Sequence, residues 1–243
     1  MNRTTRLLIA ACLAVSLSSC NKADPAADAE RDAAAHAAAE TAAGEAEARF
    51  NAAVKAEDWR MAKAHADVLL AAHPGTDAAD RVQAQFADIK AKADAAKESA
   101  RLAALWTYNT QAVKSGKQLS ASLYSDKPVG TGDGRTSPVR LIFRDHPEWG
   151  RSSYLVLESG DFDCRGGCTV AITIDGERKR TLPGSRPDTD EAIAMFIDDE
   201  KALWSIVKQA DTIVIDVPVK GEGKQPARFE VGGLDAGKLP GWE

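Results

Sequence analysis

Few residues in this sequence have both the type and the spacing to do chemistry. Cys164 and Cys168 enclose Arg165-Gly166-Gly167. Redox-active dithiols are usually separated by two residues at a helix start, which lowers the thiol pKa. Here three residues intervene, two of them glycine, and a strand-like run follows. Two cysteines without a spaced histidine pair also fall short of a zinc site. The spacing leaves a turn-closing link or a redox pair. His146 stands in Asp145-His146-Pro147-Glu148, a loop whose ring and carboxylates suit a metal, acid–base work or a plain polar turn. Asp161 and Asp163 alternate along an extended turn and could face calcium, with no further ligand in sequence reach. Gly130-Thr131-Gly132-Asp133-Gly134 lacks the Lys-Ser/Thr ending of a phosphate loop and reads as flexible backbone. No nucleophile stands with a base and no metal ligands stand together, so no catalytic residue, metal or cofactor is expected. Trp149 and Phe162 fall in expected loops and are candidate binding anchors.

The strongest chemical signal lies at the start of the chain. Arg3 and Arg6 precede an apolar stretch from Leu7 to Leu17 that is too short for a spanning helix, which needs about 20 residues. It ends in Leu17-Ser18-Ser19-Cys20. This run resembles the lipobox of bacterial lipoproteins, in which small residues precede a cysteine that is lipidated and becomes the new N-terminus. The resemblance implies a signal peptide over 1–19 and acylation of Cys20, with chains such as palmitate holding the protein to the bilayer. Two acyl signals already give stable anchoring. Asn21 follows the cysteine, where an aspartate would imply inner-membrane retention, so the outer membrane facing the periplasm is expected. Cys12 would leave with the leader and Cys20 would be acylated, so Cys164 and Cys168 would be the remaining thiols. In an oxidising compartment they are expected to pair as a structural disulfide.

Removing 1–19 takes away Arg3 and Arg6 and moves the net charge from −5 to −7. Charges are mixed along the rest, with no long basic block, so nucleic-acid binding through phosphate neutralisation is not expected.

The elements that would position these groups fall into two regions of different grammar. Residues 21–106 are rich in Ala, Glu, Asp and Lys, whereas 139–231 carry short β-branched runs between Gly, Pro and Asp. The spacing predicts a flexible tether over 20–30, a helical region over 31–124, a linker over 125–137 and a β-rich domain over 138–243 able to fold alone. In the helical region, Met61, His65, Val68 and Leu69 predict one helix face. Val82, Phe86, Ile89, Ala93, Ala96, Ala100 and Ala103 predict a coiled-coil-like seam. Phe50 to Pro74, with Glu57-Asp58-Trp59, Ala62 and Pro74 at matching places, resembles one tetratricopeptide helix pair. Phe50 and Ala66 depart from that pattern. A single copy implies a packing device, because repeat arrays need several copies to bury a core.

In the second region Val139, Leu141 and Phe143 alternate with polar or outward residues, and Val170, Ile172 and Ile174 do the same. Asp175-Gly176 predicts a hairpin into Arg178–Leu182. Further strands are expected at Tyr154–Leu157, Ile193–Ile197, Ile213–Val217 and Phe229–Val231. A helix bearing Leu203, Trp204, Ile206 and Val207, capped by Asp198 or Asp199, precedes the last two. The Gly160-Asp161-Phe162-Asp163-Cys164 segment, Cys168, Asp175-Gly176 and Gly233-Leu234 are similar to a C-terminal domain of uncharacterised bacterial proteins, a resemblance that implies no activity. The expected class is α+β: an alanine-rich helical hairpin or three-helix region, then an antiparallel, sandwich-like β-rich domain with one helix. The expected function is a membrane-anchored, non-catalytic binding or structural component of the envelope with a protein or glycan partner. The rival readings are a periplasmic hydrolase working around His146 or Asp161–Asp163, and a lipid or small-ligand carrier.

Overall fold

Alanine is the best helix former and lets helices approach closely, and it is the commonest residue of the first three helices of this computed structural model, which describes residues 25–187 and 193–242. The leader and Cys20 lie outside the described residues. Helix α1 (Pro25–Lys55) opens on a proline, which is favoured at a first helical position. It therefore takes in the second half of the expected 20–30 tether, although most of its side chains before Ala43 are exposed. Helix α2 (Trp59–Ala72) is capped by Asp58, whose carboxylate accepts from Met61 N at 3.0 Å. Its buried face is Ala62, Ala66 and Leu69, while Met61 and Val68 are exposed. The expected face is thus one position out of register: small residues take the helix contact, with Phe50 of α1 as its bulk. Helix α3 (Asp77–Leu105) starts behind Thr76, whose hydroxyl accepts from Ala79 N. Arg81 donates to both carboxylate oxygens of Glu47 on α1, and these bonds hold the Glu47 carboxyl below its usual range. Of the predicted α3 seam, Val82, Ile89 and Ala93 are buried, but Ala96, Ala100 and Ala103 are exposed. The chain forms two compact units that divide within α3, at residues 87 and 88. Among the described residues no helix is long and apolar enough to cross a membrane.

The second unit is built on strands β1 (Thr107–Val113), β2 (Gly116–Tyr124), β3 (Val129–Gly130), β4 (Thr136–Ser137), β5 (Val139–His146), β6 (Gly150–Leu157), β7 (Cys168–Ile174), β8 (Arg178–Ser185), β9 (Ala194–Ile197), β10 (Thr212–Val219) and β11 (Gly223–Glu230). Helix α4 (Glu200–Gln209) lies between β9 and β10, with Asp199 as its cap. The class is α+β, as the pattern predicts. Within it, nine strands join one antiparallel sheet in the order β1-β2-β5-β6-β9-β8-β7-β10-β11, and β3 and β4 pair separately. Two four-stranded halves meet at β9, only four residues long. The backbone after β2 also reaches the far end of the order, because Asp126 N donates to Arg228 O at 2.9 Å.

Residues 107–124, expected to be helical, are β1 and β2. The expected 125–137 linker is also ordered. Ser125 N donates to Val139 O, and Val129, Thr131 and Ser137 are buried. Gly132 serves a close approach: a Cβ there would sit 2.5 Å from Lys220 O. One face of the sheet, α4 and the C-terminal 3₁₀ turn Pro240–Trp242 enclose a single core. At one end Phe143 packs against Trp204 and Trp242 at ring distances of 5.0 and 5.2 Å, with Trp106 at 6.3 Å.

The β7–β8 turn shows how one side chain fixes register. Asp175 has φ 50° and Gly176 φ 77°, the left-handed conformations that hairpin turns use. Asp175 Oδ1 accepts from Thr212 N at 3.0 Å and Asp211 N at 2.9 Å, tying the turn to the start of β10. The Thr212 hydrogen bond, aided by those from Asp211 and Arg178, holds the carboxyl of the exposed Asp175 below its usual range. A carboxyl depressed in the folded state stabilises above its unfolded pKa of about 3.9. That stability is lost as pH falls through the folded value. Asp175→Ala is expected to cost about 1–2 kcal/mol at neutral pH, allowing for solvent screening. Asp175→Asn, which tolerates the same φ and keeps an acceptor, should cost less. Denaturant melts at pH 7 and pH 3 check this: the gap between wild type and Asp175→Ala should shrink at the lower pH.

Candidate functional site

Cys164 and Cys168 are disulfide-bonded across a turn in which Gly166 and Gly167 both have positive φ. Cys164 is buried, Cys168 is half-buried, and the bond leads into a strand rather than a helix start.

The neighbouring acidic turn is spent on packing. Arg186 Nη1 lies 2.8 and 3.0 Å from the two oxygens of Asp161 and donates to Phe162 O, and Lys220 Nζ approaches Asp161 at 3.6 Å. Asp163 N donates to Pro218 O. Phe162, expected as an exposed anchor, is fully buried and bridges to Val219. The flanking ion pair and backbone bonds turn its ring inward, so it is a core residue. Among the described residues no three His, Cys, Asp or Glu side chains gather to hold a metal.

His146 is buried, and its Nδ1 accepts from Glu148 N at 3.1 Å and Trp149 N at 3.2 Å. This assigns the proton of the neutral ring to Nε2. The ring organises the turn into β6, and its Nδ1 lone pair is not free to act as a base.

Trp149 does reach solvent, at 67% exposure, yet it is held in place. Its ring stacks on His146 at 4.0 Å and 11°, and Arg144 lies 5.6 Å from its centroid. Arg144 also lies 5.3 Å from Tyr154, which packs against Phe196 at 5.4 Å. The register places Ser122, Ile142, Tyr154 and Phe196 in one cross-strand row, with Tyr124 and Arg140 in the next. Arg140 donates to Ser122 Oγ and lies 5.4 Å from the Tyr124 ring. Among the described residues neither Arg140 nor Arg144 has an acidic partner within ion-pair distance. The outer sheet face is thus an arginine–aromatic surface with Trp149 at its margin.

A second feature is absent from the sequence reading. A cleft of about 430 Å³ opens beside α4, lined by Arg151, Lys201, Lys208, Ser205 and Gln209 and by Trp204 and Trp242. Lys201, Trp204, Ser205 and Lys208 are spaced i, i+3, i+4, i+7 on α4, a signal that the sequence does carry. Arg151 and Trp242 arrive from β6 and the C-terminal turn, and no local pattern announces them. No family model, curated protein or solved structure matches the chain.

Proposed function

We propose that the protein is an envelope lipoprotein that is tethered through acylated Cys20, faces the periplasm from the outer membrane, and binds a carboxylate-bearing envelope glycan without catalysing a reaction. The observation that carries this reading is the exposed Trp149 indole, fixed by His146 beneath it and Arg144 beside it. An exposed aromatic ring that loses little freedom on binding is the kind of residue that dominates an interface. Arg140 and Arg144, set over rings and lacking acidic partners among the described residues, complement carboxylates, which guanidinium groups grip through two parallel hydrogen bonds. The hydrolase reading loses support because His146 Nδ1 is occupied by backbone N–H groups and Asp161 is neutralised by Arg186.

The test uses the mature protein and purified peptidoglycan, a glycan rich in free carboxylates. The wild type should co-sediment with it. Trp149→Ala should weaken binding by roughly thirtyfold, the effect of losing a hot spot worth about 2 kcal/mol, with an unchanged melting temperature. No sedimentation of the wild type, or equal sedimentation of the variant, would overturn the glycan reading. In cells, Cys20→Ala should move the protein from the membrane fraction to the soluble periplasm. Retention that survives a salt wash would refute the tether.

A further inference from the structure

We propose that the cleft beside α4 is a binding site for a phosphate group, carried by a lipid headgroup or by a small soluble phosphate ester. Three cationic side chains, Arg151, Lys201 and Lys208, line it, in a chain whose net charge is −5. Among the described residues none of the three has an acidic partner within ion-pair distance. Like charges gathered without counterions repel one another, so an anion placed among them is favoured by all three at once. Arg151 is anchored by donating from Nη1 to Gly241 O at 2.6 Å, and its remaining N–H groups stay available.

The floor points the same way. Trp204 and Trp242 are 4% and 3% exposed, and each carries a buried Nε1–H with no acceptor among the described residues. Buried donors without partners are rare in folded proteins and call for an explanation. Among the described residues no carbonyl or carboxylate is spent on them, and the side-chain acceptor that Gln209 adds to the lining is neutral. Ser205 Oγ accepts from Gln209 Nε2 at 3.2 Å, which leaves its own proton free to donate to a ligand.

Among the described residues no carboxylate lines the cleft. The acid at its edge is Asp145, which lies against Gly241. A second, smaller hollow of about 110 Å³ adjoins across Ser205 and adds Arg178 and Arg180 to the rim. Arg178 is paired with Asp175, whereas Arg180 has no ion-pair partner among the described residues. Three or more cations exceed what one carboxylate can neutralise. A phosphate monoester carries up to two charges on three oxygens and matches both the charge and the donor count. The cleft volume falls within the range of small-molecule sites. Its residues are separate from the Trp149 surface, so the two proposals stand or fall independently.

The test takes the full chain made soluble by Cys20→Ala and compares it with the same chain carrying Lys201→Gln and Lys208→Gln. Both lysines are exposed, and an unchanged melt verifies the fold. Binding is titrated with glycerol phosphate by calorimetry. In parallel, flotation is measured with vesicles of phosphatidylglycerol in phosphatidylcholine and with phosphatidylcholine alone. Saturable binding of glycerol phosphate, weakened at least tenfold by the double variant and insensitive to Trp149→Ala, supports a soluble ester. Flotation only with phosphatidylglycerol, lost in the double variant, supports a headgroup. Failure of both phosphate sources to bind, equal binding by the double variant, or equally tight binding of acetate would overturn the proposal.

Discussion

A fragment beginning at Pro138 will give no cooperative melt, whereas one beginning at Asp88 will melt in a single transition. The shorter fragment contains every strand that β-branched alternation announces, yet it lacks β1 to β4. Without them β5 loses its pairing with β2 along Leu119–Tyr124 and becomes a raw edge. The core loses Trp106, Ala121, Leu123 and Val129, all buried. Trp106 and Leu123 each contribute on the scale of a large-to-small core deletion, about 2–5 kcal/mol. A domain has only about 5–15 kcal/mol of net stability. Trp106 also donates from Nε1 to Val231 O, and Tyr108 accepts from Asp235 N, so both ends of the chain segment are tied together there. Near-UV circular dichroism during heating is the measurement. A sigmoidal loss of signal from the 138–243 fragment would show that the first two strands are dispensable.

Phe162→Ala is expected to destabilise the protein by about 3–5 kcal/mol, the cost of emptying a phenylalanine site in a packed core. Phe162 has no exposed surface, and the turn that holds it is clamped by the Asp161–Arg186 pair and by Asp163 N on Pro218 O. Those clamps resist collapse into the cavity, which places the cost toward the upper part of the range. At about 2–4 °C per kcal/mol for a unit of this size, the melting temperature should fall by roughly 10 °C or more. Trp149→Ala, by contrast, removes an exposed ring and should leave it nearly unchanged. Equal, small shifts for the two variants would mean that Phe162 is not the core residue described above.

What could be read from the sequence follows the physical source of each signal. Strands β5, β7 and β10 bury one face and leave the other half open, so period-two alternation names their inward residues. Helix α4 could be read because Asp199 caps it and its apolar residues repeat at helical spacing. Strands β1 and β2 could not. Thr107–Val113 is an edge strand, mostly exposed and polar, and Gly116–Tyr124 is dominated by small and polar residues. Their place is set by pairing with distant strands, which no local window contains. The same limit explains the site. The α4 stripe of the cleft is local, whereas Arg151 and Trp242 join it only through the fold. Phe162 was misread as an anchor because burial in a loop depends on the ion pair with Arg186, which is far along the chain.

The short strand β9 has a consequence for the order of folding events. Hairpins β5–β6, β7–β8 and β10–β11 each join neighbours in sequence and close over short loops at small entropic cost. The two halves of the sheet meet through β9, where Leu155 pairs with Met195 and Gly184 with Ile197, and through the contact of Asp126 with Arg228. Both junctions link residues far apart in the chain, and such contacts form slowly because their closure entropy must be met before they are rewarded. Joining the two halves is therefore the step expected to limit the folding rate. Until β9 arrives, the edge of β6 around Tyr154–Val156 stays open, and it is there that a nascent chain is most exposed to wrong partners.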